Sequence, residues 1–484
     1  MRRIHQTGIL IALGAILVLS AGWQTEKKIS AAQRSEVVPQ DVQSSGGLAV
    51  SREVQTSEEV SVSQINMEQF GGLCDEILDS CSKEFIGNYA IDESFLSWID
   101  QSYGRETLTA LAREAQQEQP DVELWYELTG ASIHVLWLDY CDYIAVKPDA
   151  SDHVYWKECA SEDEIVLDFT GDINFSEGWG TTVHMDAQPN GIYDCFSAEL
   201  LQEMNAADIM MINNEFPYST RGTALEGKAF TFRADPSRVQ LLEVFGTDVV
   251  GVANNHMYDY GPDALVDTVE TLAAAGVPYT GAGHNIREAQ QPVFFVANGR
   301  KIAIIAATQI ERSYNYTKEA TETEPGVLKT LNAARYAAAI SRAKKNSDYV
   351  IAFVHWGTEG DNQYGTDQVQ LAGRFVEAGA DVIIGGHTHC LQGIQYMDGV
   401  PIIYSLGNFW FSEETLDTGL AQVRIQRDGS IRFRFIPCIQ ENYQTTMVTD
   451  DAEKQRILDF MSRISTKVSY DADGYVTELS NMQQ

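Results

Sequence analysis

Short apolar runs alternate with longer stretches of helix-like apolar spacing along residues 164–391. Runs of this kind are typical of buried strands, and they lie at 165–170, 208–212, 248–252, 301–306, 349–354 and 381–385. The stretches between them predict helices near 196–205, 236–246, 262–275, 329–346 and 366–378. Alternating strands and helices predict an α/β domain with buried sheets.

The pattern changes after residue 391, where apolar and polar residues alternate without intervening helices. This alternation predicts antiparallel strands that close the sheet, at 392–396, 401–404, 420–425 and 431–436. A last amphipathic stretch, about 450–466, predicts a helix that packs on the outside. We therefore assign residues 152–445 to the α/β domain and residues 446–484 to a C-terminal helix and tail.

Residues 68–150 differ from the rest of the chain. Apolar residues such as Phe95, Trp98 and Leu108 recur there at helix-like spacing, which predicts a small, mainly helical domain of unknown role. Residues 24–67 are polar, with little periodicity. That composition is typical of a flexible linker.

The first 23 residues predict export. Met1-Arg2-Arg3 gives a basic start, and Gly8 to Trp23 is an uncharged, mostly apolar run. This arrangement is typical of a secretory signal peptide, and a slightly short apolar helix can also anchor a chain in a bilayer. We interpret residues 1–23 as a signal peptide or signal anchor. We expect the protein at the cell membrane, with the bulk of the chain extracellular.

Composition excludes several functional classes. The chain carries 34 Lys and Arg against 69 Asp and Glu, a formal net charge of −35. Such a charge repels phosphate backbones, so we expect no nucleic-acid partner. Hydrophobic residues make up 44% of the chain, enough for a buried core. The seven cysteines include no CxxC pair, which argues against a zinc ribbon or a thioredoxin-like site.

Polar residues follow directly after five of the predicted strands. Ligands of α/β sheets gather outside the carboxyl ends of strands, so these residues should share one rim. The candidate metal ligands are Asp172, Glu215, Asn255, His355, His387 and His389. This mixture of oxygen and imidazole nitrogen atoms suits two divalent ions such as Mn, Fe or Zn better than Ca. Each residue alone also has a structural explanation, but their joint occurrence favours a metal site.

The order of these motifs resembles the calcineurin-like metallophosphoesterase superfamily and, in closer detail, its CapA branch of capsule and poly-γ-glutamate biosynthesis proteins. The resemblance covers roughly residues 163–415. It rests on Gly171-Asp172, Asn214-Glu215-Phe216-Pro217, Ala253-Asn254-Asn255-His256, Asp259-Tyr260-Gly261, Thr280-Gly281-Ala282-Gly283, His355-Trp356-Gly357, Gly379-Ala380-Asp381, Gly386-His387-Thr388-His389 and Tyr404-Ser405-Leu406-Gly407-Asn408-Phe409.

The resemblance implies a four-layer α/β/β/α sandwich, preceded here by the small helical domain, with a two-metal centre. It would assign Asp172 and His389 to one ion, Asn255, His355 and His387 to the other, Glu215 to both as a bridge, and His256 to the role of an acid beside the metals. The chain departs from the superfamily in two motifs. Asn174 replaces the histidine of Asp-x-His, and Asn213-Asn214-Glu215-Phe216-Pro217 replaces Gly-Asp-x-x-Asp-Arg. Both departures fit the CapA branch.

Three cations lie near this rim in sequence order: Lys228, Arg233 and Arg238. An arginine can hold a carboxylate or phosphate group of a substrate. A solvated loop explains Lys228 and Arg238 equally well. We therefore predict Arg233, together with Asn174, as weaker candidates for substrate binding.

Three functional classes remain open. The first, which we favour, is a CapA-like, membrane-anchored protein of capsule or poly-γ-glutamate biosynthesis or export, with metal-dependent chemistry at its site. The second is a metal-dependent hydrolase of a cell-envelope phosphoester or amide. The third is a non-catalytic assembly partner of a membrane polymer synthase. The expected partners are an anionic cell-envelope polymer or its precursor, and membrane synthase or export subunits.

Overall fold

Two β-sheets lie between two layers of helices in the computed structural model, which describes residues 65, 93–117, 124–133, 135–137, 139–140, 153–311 and 316–479. These residues belong to one unit, Glu59–Gln484. The predicted signal segment and, apart from residue 65, the predicted linker lie outside the described residues. Within the described residues, no helix is both long and apolar enough to cross a membrane.

The strands fall into a seven-stranded sheet, a ten-stranded sheet and one short pair. In chain order they are β1 (Val154–Lys157), β2 (Glu164–Ile173), β3 (Ile209–Asn214), β4 (Val249–Gly251), β5 (Tyr279–Thr280), β6 (Ala282–Gly283), β7 (Val293–Ala297), β8 (Arg300–Thr308), β9 (Gly326–Val327), β10 (Tyr349–His355), β11 (Val382–Gly386), β12 (Leu391–Met397), β13 (Val400–Leu406), β14 (Asn408–Trp410), β15 (Leu416–Gln426), β16 (Ile431–Glu441), β17 (Gln444–Met447), β18 (Val468–Tyr470) and β19 (Tyr475–Glu478).

The described helices fill the connections between these strands. They are α1 (Glu93–Tyr103), α2 (Arg105–Glu114), α3 (Leu124–Thr129), α4 (Gly180–Ala187), α5 (Ala198–Ala206), α6 (Pro262–Ala274), α7 (Ile286–Ala289), α8 (Ala333–Lys345), α9 (Thr366–Glu377) and α10 (Asp451–Ile464), with 3₁₀ segments at Gly191–Cys195 and Pro236–Phe245. Side-chain caps start several of them. The Ser197 side chain accepts a hydrogen bond from the backbone of Leu200 at the start of α5, which satisfies one otherwise unpaired donor.

The seven-stranded sheet has the order β1-β7-β8-β10-β11-β13-β12, and the ten-stranded sheet runs β18-β19-β16-β15-β2-β3-β4-β5, with β14 beside β2 and β17 beside β16. Each sheet has a parallel core. β8, β10, β11 and β13 are parallel neighbours in the first sheet, and β2 to β5 are parallel in the second. The predicted antiparallel strands after residue 391 divide between the two sheets, because β12 pairs with β13 and β15 pairs with both β2 and β16.

Three hydrophobic clusters separate the layers. The cluster between the sheets includes Phe169 and Met211 from one sheet and Ile304 and Phe353 from the other. A second cluster joins the outer face of the seven-stranded sheet to α8 and α9. A third joins the ten-stranded sheet to α5, α6 and the Pro236–Phe245 segment. The order of layers is therefore α/β/β/α, and the predicted fold class is confirmed.

The N-terminal helices pack on this sandwich. Buried residues of α1 to α3, including Phe95, Trp98 and Trp125, belong to the same cluster as α8 and the seven-stranded sheet. The packing gives these residues a structural role. The predicted limits of a separate domain at 68–150 stay a prediction.

Two local features differ from the sequence-based expectations. The segment Pro236–Phe245 is a 3₁₀ segment rather than an α-helix. The helix α10, which we expected on the outside, places Ile457, Leu458 and Met461 in the cluster between the sheets. Beyond α10, β18 and β19 form a hairpin that extends the ten-stranded sheet.

Candidate metal centre

The predicted strand-end residues converge where the two sheets meet. Asp172 is the penultimate residue of β2, and Glu215 follows β3 directly. His355 ends β10 in the other sheet, and a turn after β11 carries His387 and His389. Because the carboxyl ends of parallel strands lie at one edge of a sheet, each sheet delivers its polar residues to the same place.

The polar side chains form two overlapping groups that could each hold a metal ion. One ligand atom from each of Asp172, Glu215 and His389 lies within 4.8 Å of the others, and Glu215, His355 and His387 form a second such group. Glu215 belongs to both. The sixth predicted ligand is close by, since Asn255 Oδ1 lies 2.8 Å from His355 Nε2.

The Glu215 carboxyl group lies against one of the predicted imidazole ligands, with Oε1 3.3 Å from His355 Nε2. Its side chain is fully buried, and neither carboxylate oxygen accepts a hydrogen bond. Burial raises the pKa of Glu215 well above its usual range, and the nearby charge of Asp172 raises it further. Within the described residues, no Lys or Arg nitrogen lies within 4.0 Å of the carboxylate of Glu215 or of Asp172. A buried carboxylate of this kind is costly unless a cation accompanies it, so the donor set fits divalent ions.

Asp172 is held in place by neutral donors. Its Oδ1 accepts a hydrogen bond from Asn213 Nδ2 at 2.6 Å, and its Oδ2 accepts one from the backbone nitrogen of His387 at 3.2 Å. Burial raises the pKa of Asp172, while the His389 imidazole opposes this shift. Such partners orient a carboxylate without neutralising it, which leaves its charge available to a metal.

The imidazole of His355 is uncharged at neutral pH. It is fully buried, and burial lowers its pKa well below the usual value, with a further lowering from His387. The His387 Nδ1 atom lies 3.2 Å from His355 Nε2. A neutral imidazole is the form that binds metals, so the His355 ring is in the state that a ligand requires.

The His387-Thr388-His389 motif adopts a conformation that differs from our expectation. We expected both histidines on a strand, where alternate residues point the same way. The strand ends at Gly386 instead, and His387 and His389 have φ values of 96° and 57° in the turn that follows. A Cβ at Gly386 would lie 2.9 Å from Asp172 Oδ1, so a larger residue there would displace a predicted ligand. The two histidines still reach the site from this left-handed turn.

Sequence reasoning missed three residues that contact the predicted ligands. Asn213 donates to Asp172, as described above. Asn408 Oδ1 lies 2.7 Å from His389 Nδ1, and Glu359 Oε1 lies 3.9 Å from His387 Nε2. Asn408 closely follows β13 and Asn213 lies within the last two residues of β3, so the strand-end rule could have found both. Glu359 lies in a loop, and no spacing pointed to it.

His256 lies beside the two groups rather than within them. Its Nδ1 lies 2.7 Å from Asp259 Oδ2, and its Nε2 lies 3.9 Å from Glu215 Oε1. The Phe232 ring covers it, with ring centroids 4.3 Å apart. Burial lowers the pKa of His256, and the Asp259 carboxylate opposes this shift.

The two weaker candidates occupy different environments. Asn174 is fully buried, and its Oδ1 accepts a hydrogen bond from the backbone of Ser176 at 2.8 Å. Arg233 lines a cleft of about 280 Å³ that Trp179, Phe232 and Tyr260 also line. Its guanidinium lies over the Tyr260 ring, 4.0 Å from the centroid. Among the described residues, no carboxylate lies within 4.0 Å of Arg233.

Comparison with known proteins identifies the family. The sequence model of the family described as "Bacterial capsule synthesis protein PGA_cap" matches residues 166–413. The chain belongs to this family. All six predicted metal ligands, His256, Asn174 and Arg233 lie inside the PGA_cap region, which confirms the resemblance to the CapA branch.

Two proteins that are similar to this chain have names that describe a biosynthetic pathway. The chain is 30% identical over 303 residues to the "PGA biosynthesis protein CapA" of Bacillus subtilis (strain 168), covering 62% of this chain and 77% of that protein. It is 33% identical over 242 residues to the "Capsule biosynthesis protein CapA" of Bacillus anthracis, covering 48% of this chain and 58% of the relative. Among solved structures, a 5'-nucleotidase from Candida albicans SC5314 aligns with a TM-score of 0.31 at 12% identity, over 58% of this chain and 52% of that chain.

Proposed function

We propose that this protein is an exported, membrane-anchored component of capsule or poly-γ-glutamate biosynthesis or export, and that its site catalyses metal-dependent hydrolysis. Membership of the PGA_cap family supports the pathway. The basic and apolar N-terminal segment supports export and anchoring. The natural substrate would be an anionic cell-envelope polymer or its precursor, and membrane synthase or export subunits would be its partners.

One observation carries the chemical part of this proposal. Glu215 is buried with both carboxylate oxygens unpaired, between two imidazole-containing groups. A purely structural carboxylate would have hydrogen-bond donors, since nearly all buried polar groups do. This arrangement supports a role for Glu215 as a ligand that two cations would share.

The assignment of ligands follows the two groups. Asp172 and His389 would hold one ion, Asn255, His355 and His387 the other, and Glu215 would contact both. Two divalent ions bound there would polarise the bond that is cleaved and lower the pKa of a bound water.

His256 supplies the proton chemistry in this proposal. Asp259 engages Nδ1, so the free Nε2 atom faces the ligand groups. With its Nδ1 proton held by Asp259, the imidazole can accept a proton at Nε2 and, once both nitrogens are protonated, deliver that Nε2 proton to a leaving group. It lies outside both ligand groups, and its role is therefore distinct from metal binding.

The Arg233 cleft is the proposed contact for the anionic part of a substrate. Phe232 lines this cleft and also contacts the His256 ring, so the cleft adjoins the metal centre. Arg233 has no carboxylate partner in the described part of the chain, although the protein carries a net charge of −35. Its Nη1 donates to the backbone oxygen of Arg221 at 2.9 Å, and its charge would be available to a substrate carboxylate. A contact between Asn174 and substrate stays a prediction.

Arg233→Gln should raise KM for a carboxylate-bearing substrate by about tenfold or more and leave kcat nearly unchanged. A hydrogen bond to a charged group contributes about 1.5–3 kcal/mol, and this bond forms away from the cleaved bond. Steady-state kinetics on a γ-glutamyl anilide and on its α-methyl ester measure the effect. The ester lacks the charge, so its KM should not change, and equal losses for both substrates would contradict the assignment. Arg238→Gln is the matched control, because Arg238 is already paired with Glu177 and Asp186.

The proposed function is tested by screening the full chain for turnover. The protein, purified in detergent and loaded with Mn²⁺, is incubated with bis(p-nitrophenyl) phosphate and with a γ-glutamyl anilide, and product release is followed. We expect turnover of one of the two bonds by the wild type and none by Glu215→Gln. Two bound metals without turnover of either bond would contradict the hydrolase and favour the assembly partner.

A further inference from the structure

A buried lysine adjoins the metal centre without touching any ligand side chain. The Lys228 side chain is 8% exposed, and its Nζ lies 2.7 Å from Asp259 Oδ1 and 3.0 Å from Glu311 Oε1. The same ammonium group donates to the backbone oxygen of Asn255. Our sequence-based alternative of a solvated loop is therefore wrong for Lys228.

Asp259 connects this lysine to His256. The Asp259 side chain is fully buried; its Oδ1 faces Lys228, and its Oδ2 accepts from the backbone of Phe232 at 2.6 Å and faces His256 Nδ1 at 2.7 Å. An ionised carboxylate only accepts hydrogen bonds. With the ammonium group beside it, Asp259 therefore selects the tautomer of His256 that carries its proton on Nδ1.

Glu311 fixes the other side of the lysine. Its Oε2 accepts a hydrogen bond from the backbone of Thr317 at 2.6 Å. The Thr317 hydroxyl in turn donates to the backbone oxygen of Asn255 at 2.5 Å. Lys228, the 255–259 segment and Glu311 thus meet at one ammonium group, and Thr317 bonds to the last two of them.

We propose that Lys228, held by Glu311, is a positioning residue that orients Asp259 and thereby presents His256 Nε2 to the metal centre. The lysine touches neither of the two ligand groups, so it acts only through Asp259 and the Asn255 backbone. The effect on turnover rests on the proposed function, whereas the orientation of His256 is a property of the protein alone.

A merely structural ion pair would behave differently. Its loss would lower the melting temperature but would leave a folded protein with the same histidine tautomer. Loss of a positioning residue should change the tautomer in protein that remains folded. The Asn255 backbone keeps its hydrogen bond from Thr317, so the metal content should also be retained.

The test is ¹⁵N NMR of the histidine-labelled full chain, with the His256 signal assigned from its loss in His256→Gln. In the metal-free wild type we expect His256 protonated on Nδ1. Lys228→Met should give a mixture of both tautomers, and Lys228→Arg, which keeps the charge, should restore the wild-type signal. Lys157→Met is the control. It removes another Lys–Asp pair, in which Lys157 Nζ lies 2.5 Å from Asp248 Oδ1, and this pair is not part of the site.

Two further measurements complete the test: kcat of Lys228→Met, and the His256 signal of Glu311→Gln. If a chromogenic substrate is hydrolysed, Lys228→Met should lower kcat about tenfold to a hundredfold, the range seen for partners of catalytic-site ligands, at unchanged KM and metal content. Glu311→Gln keeps the lysine and should shift the tautomer mixture in the same direction by less. An unchanged His256 signal in folded Lys228→Met overturns the proposal. If Lys228→Met does not fold, an unchanged signal in folded Glu311→Gln overturns it instead. Neither result depends on whether a substrate is turned over.

Discussion

Glu215→Gln should abolish metal binding while leaving the fold intact. The carboxyl group is shared by both ligand groups, so one substitution removes a ligand from each. Loss of a mere partner of a metal ligand already costs 10–100-fold in affinity, and loss of the shared ligand should cost more than about a hundredfold. The metal-free fold should tolerate glutamine, because an amide has nearly the same shape as a carboxyl group and neither Glu215 oxygen accepts a hydrogen bond that the substitution would break.

Metal analysis of the purified chain and calorimetric titration with Mn²⁺ measure this effect. Wild-type protein should bind two ions per chain and gain about 2.7 kcal/mol of stability for each bound ion at a hundredfold excess over Kd, whereas the variant gains none. Because binding must displace a proton from a carboxyl group of raised pKa, affinity should increase as the pH rises. Glu359→Gln is the matched control, since that carboxylate is 3.9 Å from His387 but 64% exposed. Equal metal content in wild type and Glu215→Gln would refute the two-metal centre.

His256→Gln should retain both metals and lose turnover by about 10²- to 10⁴-fold, the usual contribution of a positioned acid or base. Glutamine has a similar length but transfers no proton at this position. Neither ligand group contains His256, and its ring is anchored through Asp259 instead. The expected signature is therefore a fall in kcat with an unchanged metal content.

Parallel measurement of metal content and kcat separates the roles of this histidine. His284→Gln serves as the control, because His284 is a surface residue that pairs with Glu288 and Glu270. If His256→Gln lost metal, the residue would be a ligand. If it retained wild-type turnover, the acid would have to be sought elsewhere.

The strand-end rule predicted the position of the site because it depends only on local pattern and on the direction of parallel strands. Asp172, Glu215 and His355 each follow or end a continuous apolar run, and such runs are visible in one sequence. Their meeting across two sheets required the family resemblance. Periodicity alone gives the strands of a sheet but not the way in which two sheets are arranged.

The burial of Lys228 and the approach of Glu359 to the site depend on tertiary contacts, which sequence reasoning did not predict. Lys228 lies in an irregular segment, and nothing in its neighbours indicates the buried carboxylates that surround it. Glu359 approaches His387 from a loop. The turn at His387 and His389 was missed for another reason, since an apolar run ending in glycine resembles a continuing strand. Loop geometry is set by packing, and no local pattern encodes it.

The division of ligands between the two sheets also sets the order of events during folding. His387 and Asp172 are 215 positions apart in the chain, and they approach each other only after both sheets have formed and packed. If the chain is exported unfolded, as the proposed function implies, it would offer a metal no site of this geometry in transit. The ions would enter after the last strands of each sheet have joined, so metal selection would depend on the supply in the compartment where folding ends.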